Sequence, residues 1–338
     1  ATYTQFNKSD DIIFGEKELS IDTIDKIISK DNISDSIFFQ ALLGEENPEW
    51  FTNNLTEYSP NAIVDILKAA NDVVLDTYPQ VYKTNIFSVI KMECPENSDT
   101  IIKTLMTNIA YEVMQGNSDA TDLLIDTLFD GESFNLGGDD CVLTEFLKIC
   151  NDNPELFGKV SERYSEKYPM YDLLTKIASL RIDVSDKNTD EIYVDTENVQ
   201  LILESNYLTD EQKADFVLSF FNTNNYLSSL FEVYETDNTT IANFEKMIMP
   251  YCEMLSQQGL EDYQMMSIYD LFISSVRNEI ESGNSKMLEY IMTKPEFMQK
   301  LDNYYKTSTR KKKSLVTLVS KSNLPNDKKN ELLSKLGT

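Results

Sequence analysis

The chain has 338 residues, of which 41% are hydrophobic, and it carries a formal net charge of −27. This apolar content supports a sizeable core and excludes a largely disordered chain. Its 10 glycines and 9 prolines are too few for the closely spaced turns of an all-β sandwich or barrel. Dinucleotide-binding folds also need glycines where the backbone approaches phosphate. The composition therefore favours α-helices joined by polar turns.

Helical patterns begin at about Leu19 and continue towards the end of the chain. Two of the start signals, Ser59-Pro60 and Asn153-Pro154, place a capping residue before a proline in the first helical turn. The helices predicted in the first half cover residues 21–28, 37–42, 48–55, 60–73, 79–89, 98–113, 118–129, 140–149, 154–164 and 169–181.

The second half continues the helical pattern. Thr209 and Gln212 form a capping box ahead of an apolar run, and Pro250 must end or kink the helix that begins at Asn238. The helices predicted here cover residues 209–221, 238–250, 261–281, 285–293, 295–305, 314–320 and 325–336. The sequence therefore predicts an all-α protein of roughly eighteen helices with no significant sheet, since only residues 192–194 hint at a strand.

Three short helices that begin with proline echo one another along the chain. Each such helix ends at a tyrosine in the same register, and the motifs start at Asn47, Asn153 and Lys294. Degenerate helical repeats, in which neighbours bury each other's faces, explain the echo. Chance explains it equally well because proline is common in first helical turns, and the same helices are also compatible with two bundles.

The alternation of short and long amphipathic helices resembles the ARM/HEAT (armadillo and HEAT repeat) superfamily over most of the chain. Within it, the stretch from Trp50 to Leu67 is similar to the repeats of SAPS-type regulatory subunits of serine/threonine phosphatases, in which a short helix precedes an apolar one. The similarity is a hydrophobic pattern with few identities. It implies a stacked-helix solenoid and a regulatory or scaffolding role, and it assigns no functional residue.

A polar, acidic loop at residues 183–196 is the one candidate boundary in the sequence. We expect a flexible N-terminal segment, two helical-repeat halves separated by this loop, and a basic C-terminal helical segment. In order, these are residues 1–18, 19–182, 183–196, 197–302 and 303–338.

The charge is unevenly distributed. From Asn303 to the end, nine Lys/Arg face two Asp/Glu, a net of +7, so the remaining 302 residues carry −34. Such an acidic body repels nucleic acid and anionic membrane, and suits either a basic protein partner or solubility alone. No stretch approaches the roughly 20 apolar residues that span a bilayer, and the N-terminus lacks the pattern of a secretory signal. We expect a cytoplasmic or nuclear protein.

The sequence offers little catalytic chemistry. It contains no histidine, which removes the usual general base and the commonest metal ligand. The four cysteines are scattered and are interpreted as small core residues, and phosphate-binding glycine motifs are missing. The acidic loop 186–197 has part of the spacing of a calcium loop but lacks its glycine. We therefore predict no catalytic residue, no metal, no cofactor and no enzymatic activity.

Two features are candidates for binding a partner. Eight of the twelve methionines lie between Met247 and Met298, where flexible, polarizable side chains are able to line a peptide groove or simply fill a core. The basic run at 310–313 is a candidate contact for an acidic partner, a nuclear localisation signal, or a solvated helix start. The candidate residues are Met254, Met265, Met266, Tyr269, Arg310, Lys311, Lys312 and Lys313.

Three functional hypotheses follow from the sequence. The first is a non-catalytic acidic scaffold or adaptor that binds a protein partner, including a regulatory subunit of an enzyme complex such as a phosphatase. The second is a dedicated chaperone or carrier for a basic client such as a histone or ribosomal protein. The third, a carboxylate-based metal-dependent enzyme, has no motif in its support, and nucleic acid is a disfavoured partner of the acidic body.

Overall fold

The computed structural model describes part of the chain, and these residues divide between two compact units. The described residues are 6–8, 12–28, 38, 53–77, 85–94, 96–129, 141–179, 182–183, 193–194, 196–213, 215–216, 219, 276–277, 280–281, 283, 285, 288–289, 292, 299 and 315–336. The first unit comprises residues 1–180 and 197–208, and the second comprises residues 181–196 and 209–338.

The first unit is built from helices around a central one, α4. In chain order its elements are α1 (Ile21–Ile27), a 3-10 turn (Leu55–Glu57), α2 (Pro60–Thr77), α3 (Ile86–Glu93), α4 (Ser98–Met114), α5 (Ser118–Leu124) with a π-helical continuation (Ile125–Phe129), α6 (Cys141–Asp152), α7 (Pro154–Lys167), α8 (Leu173–Ser179) and α9 (Thr196–Leu203). Helices α2, α3, α5, α6 and α7 all pack against α4. A helix surrounded in this way is apolar on most of its faces, and most of α4 is buried.

The described parts of the second unit are fewer. They include the strands β1 (Ile182–Asp183) and β2 (Tyr193–Val194) and the helices α10 (Leu315–Ser320) and α11 (Asn326–Lys335). The two strands pair antiparallel over two residues each, and α11 packs on α10. The predicted capping box is present, because the Gln212 amide donates to the Thr209 hydroxyl and the Thr209 amide to the Gln212 side chain, at 3.1 and 2.9 Å.

The structure confirms the all-α class. Predicted starts at Ser98, Ser118 and Pro154 coincide with the first residues of α4, α5 and α7. The predicted helix start at Pro169 is wrong: α8 begins at Leu173 because the Asp172 carboxylate accepts from the Thr175 amide at 3.1 Å and so caps the helix there. The solenoid arrangement, the number of eighteen helices and the domain boundaries stay predictions.

A ring cluster fills part of the core between α5, α6 and α7. Phe129 packs edge-on against Phe146 and Tyr164, with ring centroids 5.9 and 6.2 Å apart. All three side chains are buried. Edge-to-face contacts of this kind stabilise a core beyond the burial of apolar area, so the cluster joins the three helices firmly.

Buried asparagines connect helices through their amide groups. The Asn71 side chain accepts from the Ile86 amide at the start of α3 at 3.0 Å. One residue earlier, Asn85 donates to the Thr127 carbonyl in the π-helical segment at 2.8 Å. Both asparagines are buried, and a buried amide of this kind satisfies backbone groups that helix ends leave unpaired. These two asparagines therefore connect α3 to α2 and to the π-helical segment.

The cysteine side chains that the structure describes, Cys94 and Cys150, are buried, as predicted. Burial raises the pKa of the Cys94 thiol and raises that of Cys150 well above its ordinary value. Because the thiolate is the reactive form, we expect both to react with iodoacetamide at least roughly tenfold more slowly in the native protein than in urea. Peptide-resolved mass spectrometry measures this, and rapid native labelling of Cys150 would contradict it.

Candidate functional site

The site residues predicted from the sequence cannot be placed. Outside the described residues lie Met254, Met265, Met266, Tyr269 and the basic run Arg310, Lys311, Lys312 and Lys313, as do residues 184–192 and 195 of the acidic loop 183–196. Among the residues that the structure does describe, the arrangement with a clear binding geometry lies in the first unit. There, an extended segment near the N-terminus lies on the helices.

We call residues 6–8 and 12–18 the N-terminal strap, and it contacts the helical unit at three places. The first contact is aromatic. Tyr111 on α4 packs against Phe6 edge-on with ring centroids 5.6 Å apart, and against Phe14 at 4.8 Å. Phe6 and Phe14 also contact each other, at 6.1 Å. The Lys8 ammonium lies over the Phe14 ring, 4.6 Å from its centroid, a cation–π geometry. Tyr111 is thus the residue of α4 against which both rings of the strap pack.

The second contact binds the main chain of the strap through hydrogen bonds. The Asn7 backbone amide donates to Asn153 Oδ1 at 2.8 Å, and Asn153 Nδ2 donates to the Asn7 carbonyl, also at 2.8 Å. The Asn7 side chain in turn donates to the Asp152 carbonyl at 2.9 Å. Asn153 stands at the start of α7 but makes no side-chain capping bond to that helix. Its carboxamide is used instead to hold both polar groups of one strap residue.

The third contact is a short backbone pairing. The Lys17 amide donates to the Glu57 carbonyl and the Ser59 amide donates to the Lys17 carbonyl, both at 2.9 Å, which forms a parallel bridge between Lys17 and Tyr58. Gly15 allows this approach: a Cβ atom built there would lie 2.3 Å from the carbonyl carbon and oxygen of Glu57. No side chain fits at that distance, so the pairing depends on glycine at position 15.

An acidic patch lies beside the third contact. We define it as Glu18 on the strap with Asp65, Glu112 and Asp119 on α2, α4 and α5. Partial burial, and then the charges of Asp119 and Glu18, raise the pKa of Asp65. Burial, together with the charges of Asp65 and Glu18, raises the pKa of Glu112, although a hydrogen bond from Asn117 opposes this. The patch is a region of concentrated negative potential, relieved in part by the ion pair of Lys68 with Asp119 at 3.1 Å.

Neutralising this patch is expected to stabilise the fold slightly. Since the folded-state pKa of Asp65 lies above its ordinary value of 3.8, ionisation of this carboxyl costs the folded state free energy, and that cost is relieved as the pH falls. Asp65→Asn should therefore raise the free energy of unfolding at neutral pH by less than about 1 kcal/mol. The gain should shrink as the pH falls towards the ordinary value, and urea unfolding across that window measures it.

Asp122 provides a control with the opposite sign. A hydrogen bond from Arg163, at 2.8 Å, is the main reason why the pKa of Asp122 is lowered. Its contribution is therefore present above the ordinary pKa and is lost as the pH falls through the lowered value. Asp122→Asn should destabilise the fold at neutral pH. Equal signs for Asp65→Asn and Asp122→Asn would contradict this account of the two carboxylates.

Neither a metal-binding cluster nor a membrane-spanning helix is found among the described residues. Within the described ranges, no group of three or more Asp, Glu or Cys residues is arranged to hold a metal ion. No helix in those same ranges combines the length and apolar character needed to cross a bilayer.

Sequence reasoning missed the strap contacts. Residues 1–18 suggest flexibility because they contain no helical period, whereas the described residues 6–8 and 12–18 lie against the helices. The signals in the sequence are the apolar residues Ile12 and Phe14 followed by Gly15. Asn153 was correctly predicted to start a helix, but its partner Asn7 lies 146 residues away, and no local pattern shows such a pairing.

Comparison with known proteins identifies no relative. The chain matches no protein-family model, no curated protein and no solved structure.

Proposed function

We propose that this protein is a non-catalytic helical scaffold or adaptor that binds a protein partner, with roughly eighteen helices stacked as an ARM/HEAT-like solenoid. The observation that supports this most is the way Asn153 holds both backbone polar groups of Asn7. A contact to main-chain atoms is independent of the side chain at that position. Helices that hold an extended segment in this way have the chemistry needed to bind a peptide of another protein.

Charge supports a basic partner. The 302 residues before Asn303 carry a net charge of −34, and in the acidic patch burial and neighbouring carboxylate charges raise the pKa of Asp65 and of Glu112. Complementary charge accelerates association and selects partners more than it adds affinity. A role as regulatory subunit of an enzyme complex such as a phosphatase, in the cytosol or nucleus, is one form of this function.

Affinity purification from the cells that make the protein tests the proposal. We expect one protein to co-purify at near-stoichiometric amounts after stringent washing, with quantitative mass spectrometry as the readout. A chain lacking residues 303–338 serves as a matched variant, because it shows whether the basic segment contributes to binding. Purification as a monomer with no enriched protein argues against the scaffold function. If nucleic acid co-purifies with the full chain but not with the chain lacking residues 303–338, the basic segment binds nucleic acid.

A dedicated chaperone or carrier for a basic client is the second candidate, and the acidic patch favours it. Binding that rests on exposed opposite charges is screened by salt, because the Debye length shortens from about 10 Å at 0.1 M to about 3 Å at 1 M. We expect the affinity for such a client to fall roughly tenfold or more over that range. Affinity that stays constant with salt would favour the scaffold over the carrier.

A further inference from the structure

The strap is held mainly through its backbone and two rings. Its main chain is bound at Asn7 and at Lys17, and its rings at Phe6 and Phe14 rest on Tyr111. Among its other side chains, Lys8, Ile13, Glu16 and Glu18 are exposed, Ile13 by 82%. Asn7 and Lys17 are exposed too, but their side chains reach the Asp152 carbonyl and the Tyr58 ring. The surface therefore binds mainly an extended backbone with suitably spaced rings, and side-chain contacts at Asn7 and Lys17 add to it.

The charge of the strap does not match the surface beneath it. The strap contains two lysines and two acidic residues, and the residues 9–11 between its two parts include Asp10 and Asp11. At its end Glu18 lies near Asp65 and Glu112, where like charges repel. The nearby cation Lys68 is paired with Asp119. The strap is thus a good match for the surface in backbone and rings, and a poor match in charge at its acidic end.

The same face of α4 has one further acceptor. Asn108 lies three residues before Tyr111 and four before Glu112, a spacing that places the three on one side of a helix. The Asn108 Oδ1 atom is buried and has no hydrogen-bond partner, and the residue is 2% exposed. A buried carbonyl without a partner is unusual in a folded protein, but this atom has almost no exposed surface and is not part of the surface on which the strap lies.

We define the strap surface as residues 57–59, Tyr111 and residues 152–153, together with the three helical members of the acidic patch, Asp65, Glu112 and Asp119. We propose that the strap surface binds an extended segment of the protein partner, and that the strap occupies this surface until the partner segment replaces it. The partner segment carries aromatic residues spaced as Phe6 and Phe14 are, glycine at the position of Gly15, and lysine or arginine at the position of Glu18. This inference rests on the proposed function, because it names where the partner binds.

Competition with the strap sets the strength of binding. A tethered segment competes at an effective concentration in the millimolar range, so a free peptide meets a surface that is largely occupied. Its apparent dissociation constant equals the intrinsic one divided by the fraction of molecules with the strap released. A variant that releases the strap without altering the helices should therefore bind the same peptide more tightly.

Gly15→Ala is that variant, since the added Cβ would collide with the backbone of Glu57. Gly158→Ala is the matched control, because nothing lies within 4 Å of a Cβ built at that position in α7. Amide exchange at Lys17 and Ser59 reports whether the strap has been released. The double variant Phe6→Ser/Phe14→Ser releases the strap by a second route and changes no residue of the helices.

The probe is a fluorescent peptide of residues 5–19 carrying Glu18→Lys, with the unaltered peptide for comparison, and the readout is fluorescence anisotropy on the full chain. We expect the Glu18→Lys peptide to bind Gly15→Ala at least roughly tenfold more tightly than it binds the wild type or Gly158→Ala. We also expect it to bind roughly threefold or more tighter than the unaltered peptide at low salt. That preference should disappear in chains that also carry Asp65→Asn and Glu112→Gln.

Several outcomes would overturn the inference. Equal peptide affinity for the wild type and both strap-released variants would show that strap and peptide do not compete, and no binding to any of them would remove the surface as a peptide site. Dimers of Gly15→Ala in light scattering would show that a second copy of this chain is the occupant. A co-purifying partner that binds the wild type and Gly15→Ala with equal affinity would overturn this inference alone. The lack of any partner would overturn the proposed function.

Discussion

Replacing Phe129 with alanine is expected to lower the free energy of unfolding of the first unit by about 3–5 kcal/mol, the range for a fully buried phenylalanine. Phe129 is 1% exposed and lies between two other rings, those of Phe146 and Tyr164. The change removes the central ring of this cluster and leaves a cavity between α5, α6 and α7. Urea unfolding followed by circular dichroism measures the loss, and amide exchange in α6 and α7 assigns it to this unit.

Tyr171→Ala is the matched control for Phe129→Ala. It also removes an aromatic ring, but Tyr171 is 66% exposed in the connection between α7 and α8. A surface substitution of this kind usually changes stability by no more than about 0.5 kcal/mol. Comparable losses in the two variants would mean that the ring cluster is not a packed core. A loss at Phe129 confined to exchange in α7 would mean that α6 does not depend on the cluster.

The sequence predicts the helices well where the signal is local. Ser98, Ser118 and Pro154 are the first residues of α4, α5 and α7, since caps and first-turn prolines act within one helical turn. The cap positions lie one residue before the two serines, at Asn97 and Asn117, and only Asn117 makes a side-chain capping bond. The same reasoning confirms the capping box of Thr209 with Gln212. The predicted start at Pro169 is wrong because proline is equally compatible with the turn that precedes α8. The Asp172 cap decides where that helix begins.

Long-range pairings are beyond local patterns. Asn153 precedes a proline and so indicates a helix start, yet its carboxamide binds Asn7 at a distance of 146 residues. Gly15 is required by the backbone of Glu57, and neither residue signals the other in the sequence. The strap surface therefore follows from tertiary packing alone. The methionine-rich and basic segments stay predictions, since their candidate residues lie outside the described parts of the chain.

Replacing Asn85 with alanine is expected to destabilise the first unit by about 2–4 kcal/mol, because two buried backbone groups lose their partners at once. Asn85 Oδ1 accepts from the Ser88 amide at 3.0 Å and caps α3, while Nδ2 donates to the Thr127 carbonyl at 2.8 Å. Asn97→Ala is the matched control: Asn97 caps α4 by position but makes no side-chain capping bond. We expect a change of a few tenths of a kcal/mol there, measured by urea unfolding as before.

Asn85→Asp separates the two roles of this side chain. Aspartate retains the acceptor for the Ser88 amide and suits a helix N-terminus, but it cannot donate to the Thr127 carbonyl, which is buried in the π-helical segment. If capping alone matters, Asn85→Asp should match the wild type. We expect instead a loss close to that of Asn85→Ala at neutral pH, because a carboxylate would then face a carbonyl oxygen in a buried site. Partial recovery at acidic pH, where a protonated carboxyl regains a donor, would identify the Thr127 contact as the reason for the loss.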